Sequence, residues 1–178
     1  MPIATLFARL LVNPRTIDGP AAESDALTQL GERLRQTTRG RLGRSLAIRE
    51  VDAGSCNACE LEIQALNNVV YDIERFGLRF VASPRHADCL LVTGPVTTNM
   101  RRALLDTYEA TPAPKWVVGV GDCAENCGVF AGSYAVVGPL SSVIPVDLII
   151  RGCPPTPLQL LAGLIALIET SAGRSPRS

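Results

Sequence analysis

Six cysteines are the residues in this chain best equipped for chemistry: Cys56, Cys59, Cys89, Cys123, Cys127 and Cys153. Cys56-Asn-Ala-Cys59 supplies two thiols from one turn, because two intervening residues let both sulfurs face one point. Cys123 and Cys153 are single and distant. A 4Fe–4S cluster commonly takes four thiolates. Cys56, Cys59, Cys123 and Cys153 are the expected set.

Other chemistries use cysteines differently. A thioredoxin-like pair also follows a strand and opens a helix, but it leaves Cys123 and Cys153 idle. A structural zinc site usually has two close pairs, whereas the last two ligands here are far apart. Cys89 lies inside the apolar run Asp88-Cys-Leu-Leu-Val92 and is expected to be a buried strand residue. Cys127 follows Cys123 by four residues and competes for the third position. Cys123 is favoured because it directly ends an apolar run.

Glu60 and Glu62 follow Cys59 and are expected to cap or pair rather than relay protons. His86, the single histidine, sits in the polar loop Ser83-Pro-Arg-His-Ala87 and is expected at the surface. No phosphate loop, nucleophile triad or Rossmann fingerprint is present. Gly119-Val-Gly121 continues into Asp-Cys rather than toward a third glycine.

The elements that would position these thiols follow from the apolar pattern. Short apolar runs predict buried parallel strands at Leu46–Val51, Leu78–Ala82, Cys89–Thr93, Trp116–Val120 and Val146–Ile150. Helices are predicted over Cys59–Tyr71, Asn99–Tyr108 and Thr156–Glu169. The alternation implies an α/β, doubly wound parallel sheet. Ligands of such sheets sit beyond the C-terminal strand ends. The loops Asp52–Cys56, Thr93–Thr97, Gly119–Cys123 and Arg151–Pro155 fall there, and three of them carry a cysteine. Gly54, Gly121 and Gly152 are expected to bring backbone N–H groups to the sulfurs.

Residues 1–45 are expected to form a docking extension, 46–170 the α/β domain and 171–178 a flexible tail. Ile3, Leu6, Phe7, Leu10 and Leu11 recur at helical spacing until Asn13-Pro14. Ser24 is placed to cap a helix over Asp25–Gln36. Arg33, Arg35, Arg39, Arg41, Arg44 and Arg49 follow with no acid between Glu32 and Glu50. That stripe suits a partner, a membrane surface or plain solvent.

The 178 residues suit one domain. The chain is 47% hydrophobic and 19% charged, with 17 basic and 17 acidic residues. Low charge suggests surface buried against other chains, and the balance gives no basis for binding nucleic acid. No apolar run approaches a membrane span and no signal peptide is evident. A cytoplasmic setting is therefore expected, where thiols stay reduced and cysteines serve metals or redox chemistry.

Residues 51–169 resemble the iron–sulfur subunit family shared by respiratory complex I and the NiFe hydrogenases. The matching segments are Asp52-Ala-Gly-Ser-Cys-Asn-Ala-Cys-Glu-Leu-Glu62, Ala87-Asp-Cys-Leu-Leu-Val-Thr-Gly-Pro-Val-Thr97, Gly121-Asp-Cys123, and Val146-Asp through Gly152-Cys-Pro-Pro155. Complex I members typically carry adjacent cysteines at the first site. Cys56-x-x-Cys59 instead resembles hydrogenase small subunits, closest to the membrane-bound formate-hydrogenlyase type. Ala124-Glu-Asn-Cys127 stands where many relatives have a glycine-rich run, which keeps Cys127 in view.

The resemblance implies a flavodoxin-like fold without flavin and one proximal 4Fe–4S cluster on Cys56, Cys59, Cys123 and Cys153. It implies an oxidoreductase subunit that catalyses nothing alone, with electrons passing between a ferredoxin-like iron–sulfur subunit and a hydrogenase- or quinone-reductase-type large subunit. Membrane-arm subunits would hold the assembly peripherally on the cytoplasmic side of the inner membrane. The competing expectation is a stand-alone thiol redox or metal-binding module.

Overall fold

The computed structural model describes the backbone of residues 21–170 and side chains from residue 25. The apolar-periodic segment Ile3–Leu11 and the polar tail from Ser171 lie outside the described residues.

Five parallel strands form the central sheet: β1 (Leu46–Asp52), β2 (Leu78–Phe80), β3 (Cys89–Thr93), β5 (Trp116–Val120) and β7 (Leu148–Ile150). Their order is β2-β1-β3-β5-β7. The chain thus starts near one edge, crosses over and winds back the other way, as a flavodoxin-like doubly wound sheet does. The register puts Ile48 beside Cys89, Cys89 beside Trp116, and Val120 beside Ile150. β3 and β5 are buried along their whole length, which explains their unbroken apolar runs.

Helices cover both faces. α1 (Ala21–Leu42), α2 (Ala58–Ala65) and α5 (Pro157–Thr170) flank one side. There Leu34, Ile63, Leu160 and Leu164 pack on Leu46, Ile48 and Leu91. α3 (Arg101–Ala110) and α4 (Asp122–Asn126) flank the other side, where Leu104 and Ala124 pack with Leu90, Val92 and Val117. An antiparallel ribbon of β4 (Val96–Thr97) and β6 (Val136–Gly138) stands apart from the sheet. The sequence pattern did not predict it.

α1 is longer than expected and begins three residues before Ser24, which therefore lies inside its first turn. It is packed into the fold. Leu27 and Leu34 belong to the buried core. A Cβ on Gly31 would fall 2.2 Å from the Phe76 ring, so the helix lies directly on the turn Ile73–Phe76. Several arginines of its stripe already have partners. Arg33 forms a two-bonded pair with Glu169 of α5, and Arg35 one with Glu32. Arg41 donates to the Ile168 carbonyl near the end of α5. Arg44 grips the buried Asp88 through two bonds of 2.6 and 2.7 Å. Among the described residues, no helix is long and apolar enough to cross a membrane.

Candidate metal centre

The thiols of interest gather at the C-terminal end of the sheet. β1 ends at Asp52, β5 at Val120 and β7 at Ile150. Cys56, Cys123 and Cys153 follow within four residues of those ends, and Cys59 sits in the first turn of α2.

The first loop is folded by its own side chains. Asp52 Oδ1 accepts the N–H groups of Gly54 and Ser55 at 2.7 and 2.8 Å. Ser55 Oγ accepts the Asn57 N–H at 3.0 Å and donates to Glu60 Oε1 at 2.6 Å. Glu60 thus reaches back across the start of α2 to the Ser55 hydroxyl, a side-chain pairing and not a bond to a backbone N–H of the helix end. Asn57 takes the left-handed conformation, φ 72°, which asparagine tolerates better than most residues. The result leaves Cys56 exposed and Cys59 buried.

The second loop wraps the Cys123 sulfur. α4 ends at Cys127, which is left-handed with φ 68° and donates its N–H to the Cys123 carbonyl at 3.0 Å. Asn126 Oδ1 accepts the Gly128 N–H. The Val129 N–H then bonds the Cys123 thiol. Gly128 must be glycine here: its φ is +47° and a Cβ would stand 2.7 Å from the Cys123 sulfur. Gly121 does the same for Cys59, with φ +87° and 2.8 Å to that sulfur.

The electrostatics report which groups are neighbours. Burial pushes the Cys59 thiol up to about 12, and Glu60, Cys123, Cys56 and Cys153 add to the rise in that order. Burial also pushes Cys123 up, Cys153 adds to it, and the Val129 N–H opposes both. Cys89 is wholly buried in β3 as expected, with burial pushing its thiol up. His86 is exposed at the other end of the sheet, near Arg79 and Ser83.

One expectation fails: the N–H groups of Gly54, Gly121 and Gly152 do not face the sulfurs. Gly54 donates to Asp52 Oδ1, Gly121 to the Ile150 carbonyl at 2.8 Å, and Gly152 to Asp122 Oδ1 at 2.9 Å. These glycines provide room for sulfur and loop closure, while the N–H donor to sulfur is Val129. A helix closing at Cys127-Gly128 was the available signal for that turn. Sequence reasoning also missed Glu50 on β1. Burial pushes its carboxyl up to about 7, with Glu60 adding and Arg49 opposing.

Among the described residues, no three His, Cys, Asp or Glu side chains converge tightly enough to grip one metal ion. A cubane cluster asks for a different arrangement, four thiolates around a body of irons and sulfides. The residues fit that group: four neighbouring thiols, two glycines that make room at buried sulfurs, and a backbone N–H on one of them.

Comparison with known proteins agrees with this architecture. Residues 56–167 match the family model described as NADH ubiquinone oxidoreductase, 20 Kd subunit. A probable membrane-bound hydrogenase subunit, mbhJ, of Pyrococcus furiosus is 46% identical over 131 residues, which are 74% of this chain and 78% of that protein. Formate hydrogenlyase subunit 7 of Escherichia coli is 39% identical over 86% of this chain and 60% of its own length. An NADH-quinone oxidoreductase subunit of Citrifermentans bemidjiense is 46% identical over 64% of this chain and 66% of its own length. A solved chain of the membrane-bound sulfane sulfur reductase, an archaeal respiratory membrane complex, superposes with TM-score 0.64 at 34% identity, covering 81% of this chain and 80% of that one. With over half the chain matched by one family model and relatives of this similarity, the protein belongs to the family of the 20 kDa subunit of NADH ubiquinone oxidoreductase.

Proposed function

We propose that this chain is the electron-transfer subunit of a membrane-associated oxidoreductase complex, holding one 4Fe–4S cluster on Cys56, Cys59, Cys123 and Cys153. The observation that carries the reading is the gathering of these four thiols at three neighbouring strand ends, with Gly121 making room at the Cys59 sulfur and Gly128 at the Cys123 sulfur. When bound, such a cluster takes up or gives back one electron. The chain's part is to hold the four sulfurs, shield two of them in the core and bond one through Val129.

The partners follow from the relatives, which are named as hydrogenase, formate hydrogenlyase and NADH-quinone oxidoreductase subunits. A large subunit would carry the reacting centre and lie over the cysteine face, because a relay must end close to it. A ferredoxin-like subunit would stand at the other end of the relay. The complex would sit on the cytoplasmic side of the membrane. The competing reading, a stand-alone thiol redox module, needs a reactive thiolate near neutral pH. A Cys56–Cys59 redox pair would also leave Cys123 and Cys153, which follow the ends of β5 and β7, without a role.

The test is turnover. The anaerobically purified chain is assayed for dye reduction with hydrogen, NADH and formate, alone and with a large subunit of the same complex from its source. Activity only in the joint sample supports the reading. Sustained turnover by the chain alone, or failure of the large subunit to bind, overturns it.

A further inference from the structure

The loops carrying Cys123 and Cys153 continue to bond each other after their strands end. Val120 is the last residue of β5 in register with β7, opposite Ile150. Beyond it the Gly121 N–H reaches the Ile150 carbonyl at 2.8 Å, and the Asp122 N–H reaches the Gly152 carbonyl at 3.0 Å. The Gly121 carbonyl has turned away to accept the Ala124 N–H at 3.1 Å, which opens α4. The Gly152 N–H therefore needs a different acceptor. Asp122 supplies it: Oδ1 receives that N–H at 2.9 Å. One residue thus exchanges two hydrogen bonds with Gly152, one through its backbone and one through its carboxylate.

The position matters because of what adjoins it. Asp122 precedes Cys123, and Gly152 precedes Cys153. Gly121 lies against the Cys59 sulfur and close to the Gly152 carbonyl. The Asp122–Gly152 exchange therefore sits among three of the four thiols. A second link, Arg151 to Glu125 Oε1 at 3.2 and 2.5 Å, joins the same loops further out. Its arginine side chain is 75% exposed, and exposed pairs hold little. A charged acceptor on a part-buried backbone N–H holds more.

We propose that Asp122 is a positioning residue for the centre: its carboxylate fixes the Cys153 loop against Cys123, and its charge holds the reduction potential of the bound group down. This rests on the reading of Cys56, Cys59, Cys123 and Cys153 as ligands. The electrostatic half follows from sign. A fixed negative charge beside the thiolates disfavours adding an electron to the group they hold. Asp122 stands next to Cys123 in the chain, and its carboxylate bonds the residue next to Cys153.

Three variants of the full chain separate the two roles. Asp122→Asn keeps an acceptor oxygen and removes the charge. Asp122→Ala removes both. Glu125→Ala removes only the outer link. Each is purified anaerobically and measured for iron and sulfide per chain, the electron paramagnetic resonance spectrum of the reduced state, and midpoint potential. The expected results are wild-type iron with a potential shifted upward for Asp122→Asn, iron lost and an altered spectrum for Asp122→Ala, and wild-type behaviour for Glu125→Ala. If Asp122→Ala does not fold, the asparagine variant decides, since an unshifted potential there overturns the electrostatic role. Wild-type iron content and spectrum in a folded Asp122→Ala overturn the positioning role. A wild-type chain with no sulfide-containing cluster overturns the ligand assignment itself, a different result from either.

Discussion

A Cβ on Gly128 would stand 2.7 Å from the Cys123 sulfur, so the turn after α4 closes on that thiol with no room for a side chain. Gly128→Ala meets both this contact and a φ of +47°. Left-handed backbone costs a non-glycine residue about 1–2 kcal/mol. Gly132 is an internal control, with φ +80° and nothing within 4 Å of a built Cβ. Both variants should lower the melting temperature by similar backbone strain. Only Gly128→Ala should also lower iron per chain. Equal iron in the two would show that the turn does not shape the site.

The ligand set makes a sharper division among the cysteines. Serine at Cys56, Cys59, Cys123 or Cys153 should each lose or badly perturb the cluster, seen as lost visible absorbance and iron. Cys89→Ser should keep it, because that thiol lies inside β3. Cys127→Ser should keep it as well, since Cys127 serves as the left-handed end of α4. Loss with Cys127→Ser but not Cys123→Ser would mean the two roles are reversed.

Stability should depend on α1. Leu34 is fully buried against the core, and Leu34→Ala should cost about 2–5 kcal/mol in chemical denaturation. Deleting residues 1–20 is expected to leave cluster content unchanged and to weaken docking. Extending the deletion through Leu42 should expose Phe76 and the α5 face and lower the melting point strongly. Equal stability of the two truncations would contradict the packing of α1.

Glu50 gives a pH dependence. Its carboxyl is raised from its ordinary value to about 7 in the fold. The folded chain therefore binds the extra proton between roughly pH 4.5 and 7, where the unfolded chain does not, and stability falls as pH rises through that window. Glu50→Gln should remove this loss. The gain at pH 8 should be about 1–2 kcal/mol, discounted for the part of the group that faces solvent, and near zero at pH 4. Denaturant midpoints at the two pH values check this, and a gain of equal size at both would contradict it.

Much of this was legible in the sequence where local pattern decides structure. β3 and β5 begin and end as their apolar runs do, because nothing but buried strand suits such runs. α2 is shorter than its apolar pattern suggested. Asn68 Oδ1 captures the N–H groups of Val70 and Tyr71, and the helix has already given way to turn after Ala65. What stayed hidden depends on distant partners. The ribbon pairs Thr97 with Val136, and two such short segments carry no pattern of their own. The arginines after Glu32 looked like a free basic stripe, yet Glu169 and Asp88 answer two of them from remote elements. The Gly121 and Gly152 N–H groups point away from sulfur because their acceptors, Ile150 and Asp122, are fixed only by the β5–β7 register.

The most direct measurement is metal and sulfide analysis of the anaerobically purified chain, read together with the spectrum of its reduced form. The account predicts about four irons and four acid-labile sulfides per chain, with a single paramagnetic species on one-electron reduction. Stoichiometric zinc without sulfide, or a chain that binds neither metal nor sulfide when supplied with both, would contradict it.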